Sequence, residues 1–257
     1  MNSRIVVKIG SNVLTRSDGR LDVTRVSALV DQVAQLRLQG HEVVLVSSGA
    51  VACGRSELRV AHSLDSVEQR QLFSALGQVK LIGLYYDLFR EHGLHVGQVL
   101  TMKENFQPGE QYDNQRACMT VMLENGVVPI VNENDTVAVT ELMFTDNDEL
   151  SGLIAQMMQA DVLILLSNID GIYTGDPHAP ASRLLSTVRP DDDLSQYIKE
   201  ERSAFGRGGM HSKYTTARRL QQSGIRVLIA NGERPNVLCQ LIDHPENVPH
   251  TEFIVCK

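Results

Sequence analysis

Between residues 117 and 182 this chain has no lysine and no arginine, while aspartate and glutamate occur there ten times. Carboxylates at that density repel one another unless cations arrive from elsewhere. The cations available are Lys8, Lys213, a metal ion, or a cationic group on a ligand. Also missing is any CxxC pair or histidine partner at metal-ligand spacing; the four cysteines, Cys53, Cys118, Cys239 and Cys256, are scattered. Their scatter argues against a zinc site or a disulfide frame and fits reduced thiols in a cytosol. No apolar run approaches the roughly 18 residues a membrane helix needs, and residues 1–20 contain no charged-then-apolar leader. A cytoplasmic protein is therefore expected. Internal repeats, low-complexity tracts and long linkers are lacking as well, so 257 residues read as one large domain or two lobes.

What is present is an ordinary globular composition, 42% apolar and 21% charged, with a formal charge of −7. That charge argues against a nucleic-acid or anionic-membrane partner. It is unevenly spread. The Lys/Arg-free stretch carries −10, so the rest of the chain sums to +3, the difference between −7 and −10. Residues 199–226 hold seven Lys/Arg against two Glu. An acidic segment matched by a basic one suggests an anionic ligand, such as a polyphosphate, held between them.

The apolar pattern predicts strands at 4–9, 41–46, 94–100, 127–131, 161–166, 225–230 and 251–255. Helices are predicted at 22–39, 68–91, 111–125, 148–159 and 211–223, while 180–197 shows too little periodicity to assign. Strand alternating with helix predicts an α/β protein, a three-layer αβα sandwich with a mainly parallel open sheet. Ligands of such sheets sit at the carboxyl ends of strands, where Lys8, Ser48, Asn132 and Ser167-Asn168 all fall. Lys8, directly before Gly10, is either an edge residue facing water or a cation reaching a phosphate held by that turn. The small residues Ser47-Ser48-Gly49 would let backbone donors approach a ligand. Asn132, Asn134 and Asn147 lie among the acids of the stretch NENDTVAVTELMFTDND at 132–148, adding polar groups without charge. Asp148 could instead simply cap its helix. A Gly-rich loop at 203–210 leads into a helix with Lys213 in its first turn, an arrangement that cradles phosphate. The GxxxxGK[ST] spacing of a P-loop is absent, and Gly10-Ser11-Asn12 lacks the GxGxxG glycines of a dinucleotide fold.

Taken together, VVKIGS at 6–11, VSSGAVACG at 46–54, VVPIVNEND at 127–135, DNDELS at 146–151, SNIDGIYTGDP at 167–177 and GRGGMHSK at 206–213 resemble the amino acid kinase family. Within it they are most similar to the branch that phosphorylates free glutamate. The resemblance runs from about residue 4 to the final strand, without the C-terminal PUA domain that many relatives carry. It implies ATP-dependent phosphorylation of the side-chain carboxylate of L-glutamate, the first step of proline synthesis. An amino-acid-binding lobe at about 1–160 and a nucleotide-binding lobe at about 161–257 would follow. Lys8, Asp148 and Lys213 would be catalytic, with Asp148 organising the two lysines. Ser48, Gly49, Asp135 and Asn147, with Asn132, Asn134 and Asp146 nearby, would hold glutamate. Lys8, Gly10, Ser167, Asn168 and the segment Arg207-Gly208-Gly209-Met210-His211-Ser212-Lys213 would meet ATP, which brings Mg²⁺ with it rather than finding a protein-built metal site. A homo-oligomer and feedback inhibition by proline are further expectations of the resemblance. The chain departs from the family in having Ser167-Asn168 for the usual Thr-Asp, and Arg207 where the loop usually has Thr. Three rivals stand beside this reading: the same fold acting on aspartate, N-acetylglutamate, carbamate or UMP, a sensor without chemistry, and an NAD-binding protein.

Overall fold

The computed structural model describes residues 2–138, 143–198 and 209–255. Eight strands form one sheet among these residues. They are β1 (Arg4–Ile9), β2 (Glu42–Ser47), β3 (Val96–Thr101), β4 (Val128–Glu133), β5 (Val162–Ser167), β6 (Thr187–Val188), β7 (Arg226–Asn231) and β8 (His250–Phe253). Their spatial order is β3-β4-β2-β1-β5-β7-β8-β6, and every pairing is parallel except β7 with β8. The helices are α1 (Ser11–Leu14), α2 (Val23–Leu38), α3 (Ala50–Glu57), α4 (Ser66–Glu91), α5 (Glu110–Glu124), α6 (Asn147–Met157), α7 (Met210–Gln222) and α8 (Val237–Asp243).

Strand alternation sorts the core into two layers. Ile5, Val7, Val43, Leu45, Ile164 and Leu228 face one way and pack with α2, α4 and α8. Val6, Val44, Leu163, Leu165, Val227 and Ile229 face the other way and pack with α5, α6 and α7. Lys8 has the parity of Val6, so its side chain enters the layer occupied by α6 and α7. The predicted three-layer architecture is thus the observed one, in a chain whose central strands are buried on both faces.

Three local differences from the sequence reading matter. β4 does not stop at Val131 but continues through Asn132 and Glu133, both buried, because β3 pairs alongside as far as Thr101↔Glu133. The cap of α6 is Asp146, whose carboxylate accepts from the N–H of Asp148 and of Glu149; Asp148 itself is left free for another role. The unassigned 180–197 segment supplies β6, and α8 was not anticipated.

Helix α4 lies against α3 at unusually close range. A Cβ at Gly54 would come within 1.9 Å of the Phe73 carbonyl oxygen, and one at Gly77 within 1.8 Å of the Ala50 carbonyl oxygen. Only glycine fits at this crossing. A capping box starts α4: Asp65 accepts from the Val67 and Glu68 N–H groups at 2.8 Å each, and Glu68 accepts from the Asp65 N–H at 2.9 Å.

Candidate active site

The carboxyl ends of the central strands open into a cleft of about 1600 Å³. It lies where strand order reverses, between β1 and β5, as expected of an open α/β sheet. Beneath its floor is a buried charge triad. The Asp148 carboxylate, 0% exposed, sits 2.6 Å from Lys8 Nζ through Oδ1 and accepts a hydrogen bond from Lys213 Nζ at 2.8 Å through Oδ2. The three groups come from β1, α6 and α7. Fully ionised they carry one net positive charge, placed where an anion in the cleft can reach both lysines.

Burial pushes the Lys8 ammonium below its ordinary value; Asp148 opposes that shift and Lys213 adds to it. For Asp148, burial acts to raise the carboxyl, but Lys213 and Lys8 together outweigh it and hold it at about 2. The carboxylate is therefore anionic at neutral pH and serves as a fixed counter-charge, not as a proton acceptor.

Beside the triad lies an amide network. Asn147 Nδ2 donates to Ser48 Oγ at 2.9 Å and to Asn132 Oδ1 at 3.1 Å, and Asn132 Nδ2 donates to Gln78 Oε1 at 3.0 Å. Ser48 is followed by Gly49, whose φ of 102° lets the chain turn directly from β2 into α3. Arg70 of α4 forms the next part of the wall. Its Nε donates to Asp135 Oδ1 at 2.7 Å, its second amino group bonds the same oxygen, and that group also donates to Glu133 Oε2 at 2.7 Å. The side chain of Glu133 also accepts from the Phe144 N–H at 3.0 Å. The fourth acid, Asp146, gives Oδ1 to the start of α6, while Oδ2 is buried with no hydrogen-bond partner among the described residues.

Of the residues singled out by sequence, Lys8, Gly10, Ser48, Gly49, Asn132, Asp135, Asp146, Asn147, Ser167, Asn168, Gly209, Met210 and Lys213 line this one cleft. Asp148 lies under it, fully buried. Asn134 does not line it: its side chain accepts from Thr136 Oγ at 2.6 Å within its own loop. His211 and Ser212 are also off the wall, since their helical positions turn away from the face that carries Lys213. Arg207 and Gly208 lie outside the described residues. Sequence reasoning missed Arg70 and Gln78, which read there only as polar positions of a long helix. The loop after β5 is fastened by Arg234, which grips Asp170 at 2.5 and 2.8 Å, with Tyr173 Oη donating to the same carboxylate at 3.2 Å. The Arg234 hydrogen bonds are the main reason the Asp170 carboxyl lies below its usual value.

The amino acid kinase family model matches residues 3–231. The chain belongs to that family. A glutamate 5-kinase of Bacteroides thetaiotaomicron is 62% identical over 252 residues, covering 98% of this chain and 70% of that protein. A glutamate 5-kinase of Symbiobacterium thermophilum is 42% identical over 240 residues, covering 93% of this chain and 92% of that protein. Among solved structures, a carbamate kinase from Giardia lamblia bound to AMP-PNP superposes with a TM-score of 0.70 at 15% identity, covering 99% of each chain. That structural likeness speaks for the fold alone.

Proposed function

We propose that this chain transfers the γ-phosphoryl group of ATP to the side-chain carboxylate of L-glutamate, giving L-glutamyl 5-phosphate and ADP, the step that opens proline synthesis. The observation that carries the reading is the convergence of Lys8 and Lys213 on one buried carboxylate, immediately beside the Ser48–Asn147–Asn132 network. A carboxylate oxygen of glutamate attacks the γ-phosphorus, a new P–O bond forms, and the bond to the bridging oxygen of ADP breaks. No proton needs to move, because the attacking carboxylate is ionised at neutral pH. The obstacle is the approach of one anion to another, so catalysis rests on positioning and positive charge. Lys8 and Lys213 supply that charge, and Asp148 holds them at fixed separation.

Substrate selection follows from the charges left in the cleft. The α-ammonium of glutamate fits Asp135, with Asn147 and Ser48 as neutral hydrogen-bonding partners. An N-acylated glutamate lacks the cation and would leave the second oxygen of that carboxylate without an ammonium partner, which penalises it. The nucleotide would lie over the Gly10 turn, Ser167-Asn168 and the start of α7. We place the amino acid in a lobe of about residues 1–160 and the nucleotide in one of about 161–257. Mg²⁺ arriving with ATP would neutralise charge on the phosphates. The residues present fit such an ion: Asp146 Oδ2 is a buried acceptor with no hydrogen-bond partner among the described residues, on a cleft-lining side chain. Among the described residues no group of three or more His, Cys, Asp or Glu is placed to hold a metal ion. Cytoplasmic location, a homo-oligomeric state and inhibition by proline belong to the same proposal. Among the described residues, no helix is long and apolar enough to cross a membrane.

The test is direct. Protein incubated with glutamate, ATP, Mg²⁺ and hydroxylamine should accumulate γ-glutamyl hydroxamate. Tight ATP binding with no hydroxamate, together with turnover of another acceptor, would overturn the assignment.

A further inference from the structure

Arg70 stands out because three of its contacts converge on the substrate side of the cleft although it belongs to a helix that forms the outer wall. Its Nε and one terminal amino group both bond a single oxygen of Asp135, Oδ1. The same amino group bonds Glu133, which is 2% exposed, and the other terminal nitrogen is turned to the sulfur of Met143. No hydrogen bond from the described residues reaches Asp135 Oδ2. Arg70, Glu133 and Asp135 together carry one net negative charge, the complement of one ammonium. Neighbouring contacts from the same helix hold the adjoining segment: Gln71 Nε2 donates to the Thr136 carbonyl at 2.7 Å, and the Gln78 side chain accepts from that of Asn132.

We propose that Arg70 is a positioning residue for the amino-acid substrate. By loading Oδ1 from one side, its planar fork fixes the rotation of the Asp135 carboxylate and presents Oδ2 to the α-ammonium of the bound amino acid. Arg70 also keeps Glu133 from competing for that ammonium. The inference rests on the reading of this cleft as a glutamate site, but adds a residue on a different element and a division of labour between two oxygens of one carboxylate.

Arg70→Gln removes the fork while keeping a polar side chain. The expected result is a rise in the KM for glutamate of about ten- to a hundredfold, the size of a lost charge-assisted hydrogen bond. The KM for ATP and kcat at saturating glutamate should stay within about threefold of wild type. In an Asp135→Asn background the same change should have little further effect on glutamate KM, because Arg70 acts through that carboxylate. Arg70→Lys, which keeps the charge and loses the fork, should fall between and carries the test if the glutamine variant unfolds. Equal losses in both KM values and kcat, or additive effects in the double variant, overturn the inference. So does an unchanged glutamate KM in an active variant. Wild-type protein that makes no hydroxamate from glutamate is a different failure, that of the underlying reading.

Discussion

Asp148 is the residue on which the proposed chemistry depends, although it lies fully buried beneath the cleft. Its two oxygens are divided between two lysines, at 2.6 Å and 2.8 Å, in a fully buried setting. Asp148→Ala leaves two cations in low dielectric with no counter-charge, a situation that costs about 3–5 kcal/mol. Turnover should be abolished and the unfolding free energy lowered by that amount, measured by urea denaturation across a pH series. The part of that gap owed to the Asp148 charge should be present above about pH 4 and shrink as pH falls toward 2. The sign follows from the shift: a carboxyl held at about 2, below its ordinary 3.8, contributes stability that is present above 3.8 and disappears as the folded form is protonated. That contribution is about 2 kcal/mol. A gap that widened on acidification would contradict the ion-pair account.

At the scale of elements, the α3–α4 crossing governs the proposed amino-acid pocket. Helix α3 follows directly from Ser48 and Gly49, while α4 carries Arg70 and Gln78, so both walls depend on how closely the two helices meet. Gly77→Ala would push a methyl to 1.8 Å from the Ala50 carbonyl, and the helices must part. A cost of about 1–3 kcal/mol is expected, with a higher KM for glutamate and an ATP KM that changes less. Denaturation curves and steady-state kinetics on the variant would check it, and an unaltered glutamate KM would show the crossing to be structural only. This contact was invisible in the sequence, where Gly54 lies outside every predicted element and Gly77 is an isolated glycine in a helical pattern. Elements with strong periodicity were legible: β1, α2, α5 and α7 fall within a residue or two of their predicted bounds. β6 was not, because two residues carry no period and its pairing partner is distant. Arg70 escaped for a related reason: a charged residue on a long helix looks solvated until the fold brings residue 135 beside it. Asn134 misled in the opposite direction, being the right residue type in the right cluster on a strand end that turns it away.

Across the whole molecule, the cleft divides its proposed duties between the two halves of one sheet. Hydrogen exchange should read that division. Glutamate alone is expected to protect 46–52 and 132–138, whereas a non-hydrolysable ATP analogue should protect 167–177 and the start of α7. Protection of the same segments by both ligands would argue against separate lobes. The order of strands has a further consequence, for how the protein is made. β1 occupies the middle of the sheet, yet its partner on one side, β5, begins with Val162 opposite Ile5. At translation speeds of about 5–20 residues per second, a nascent chain holds that apolar strand without its second neighbour for about 10–30 seconds. During this interval the ribosome carries an unpaired β edge of the kind that invites association with other chains. Lys8, buried in the finished protein, would then still face water, a charge within that apolar strand of the kind that discourages such association until Asp148 arrives to receive it.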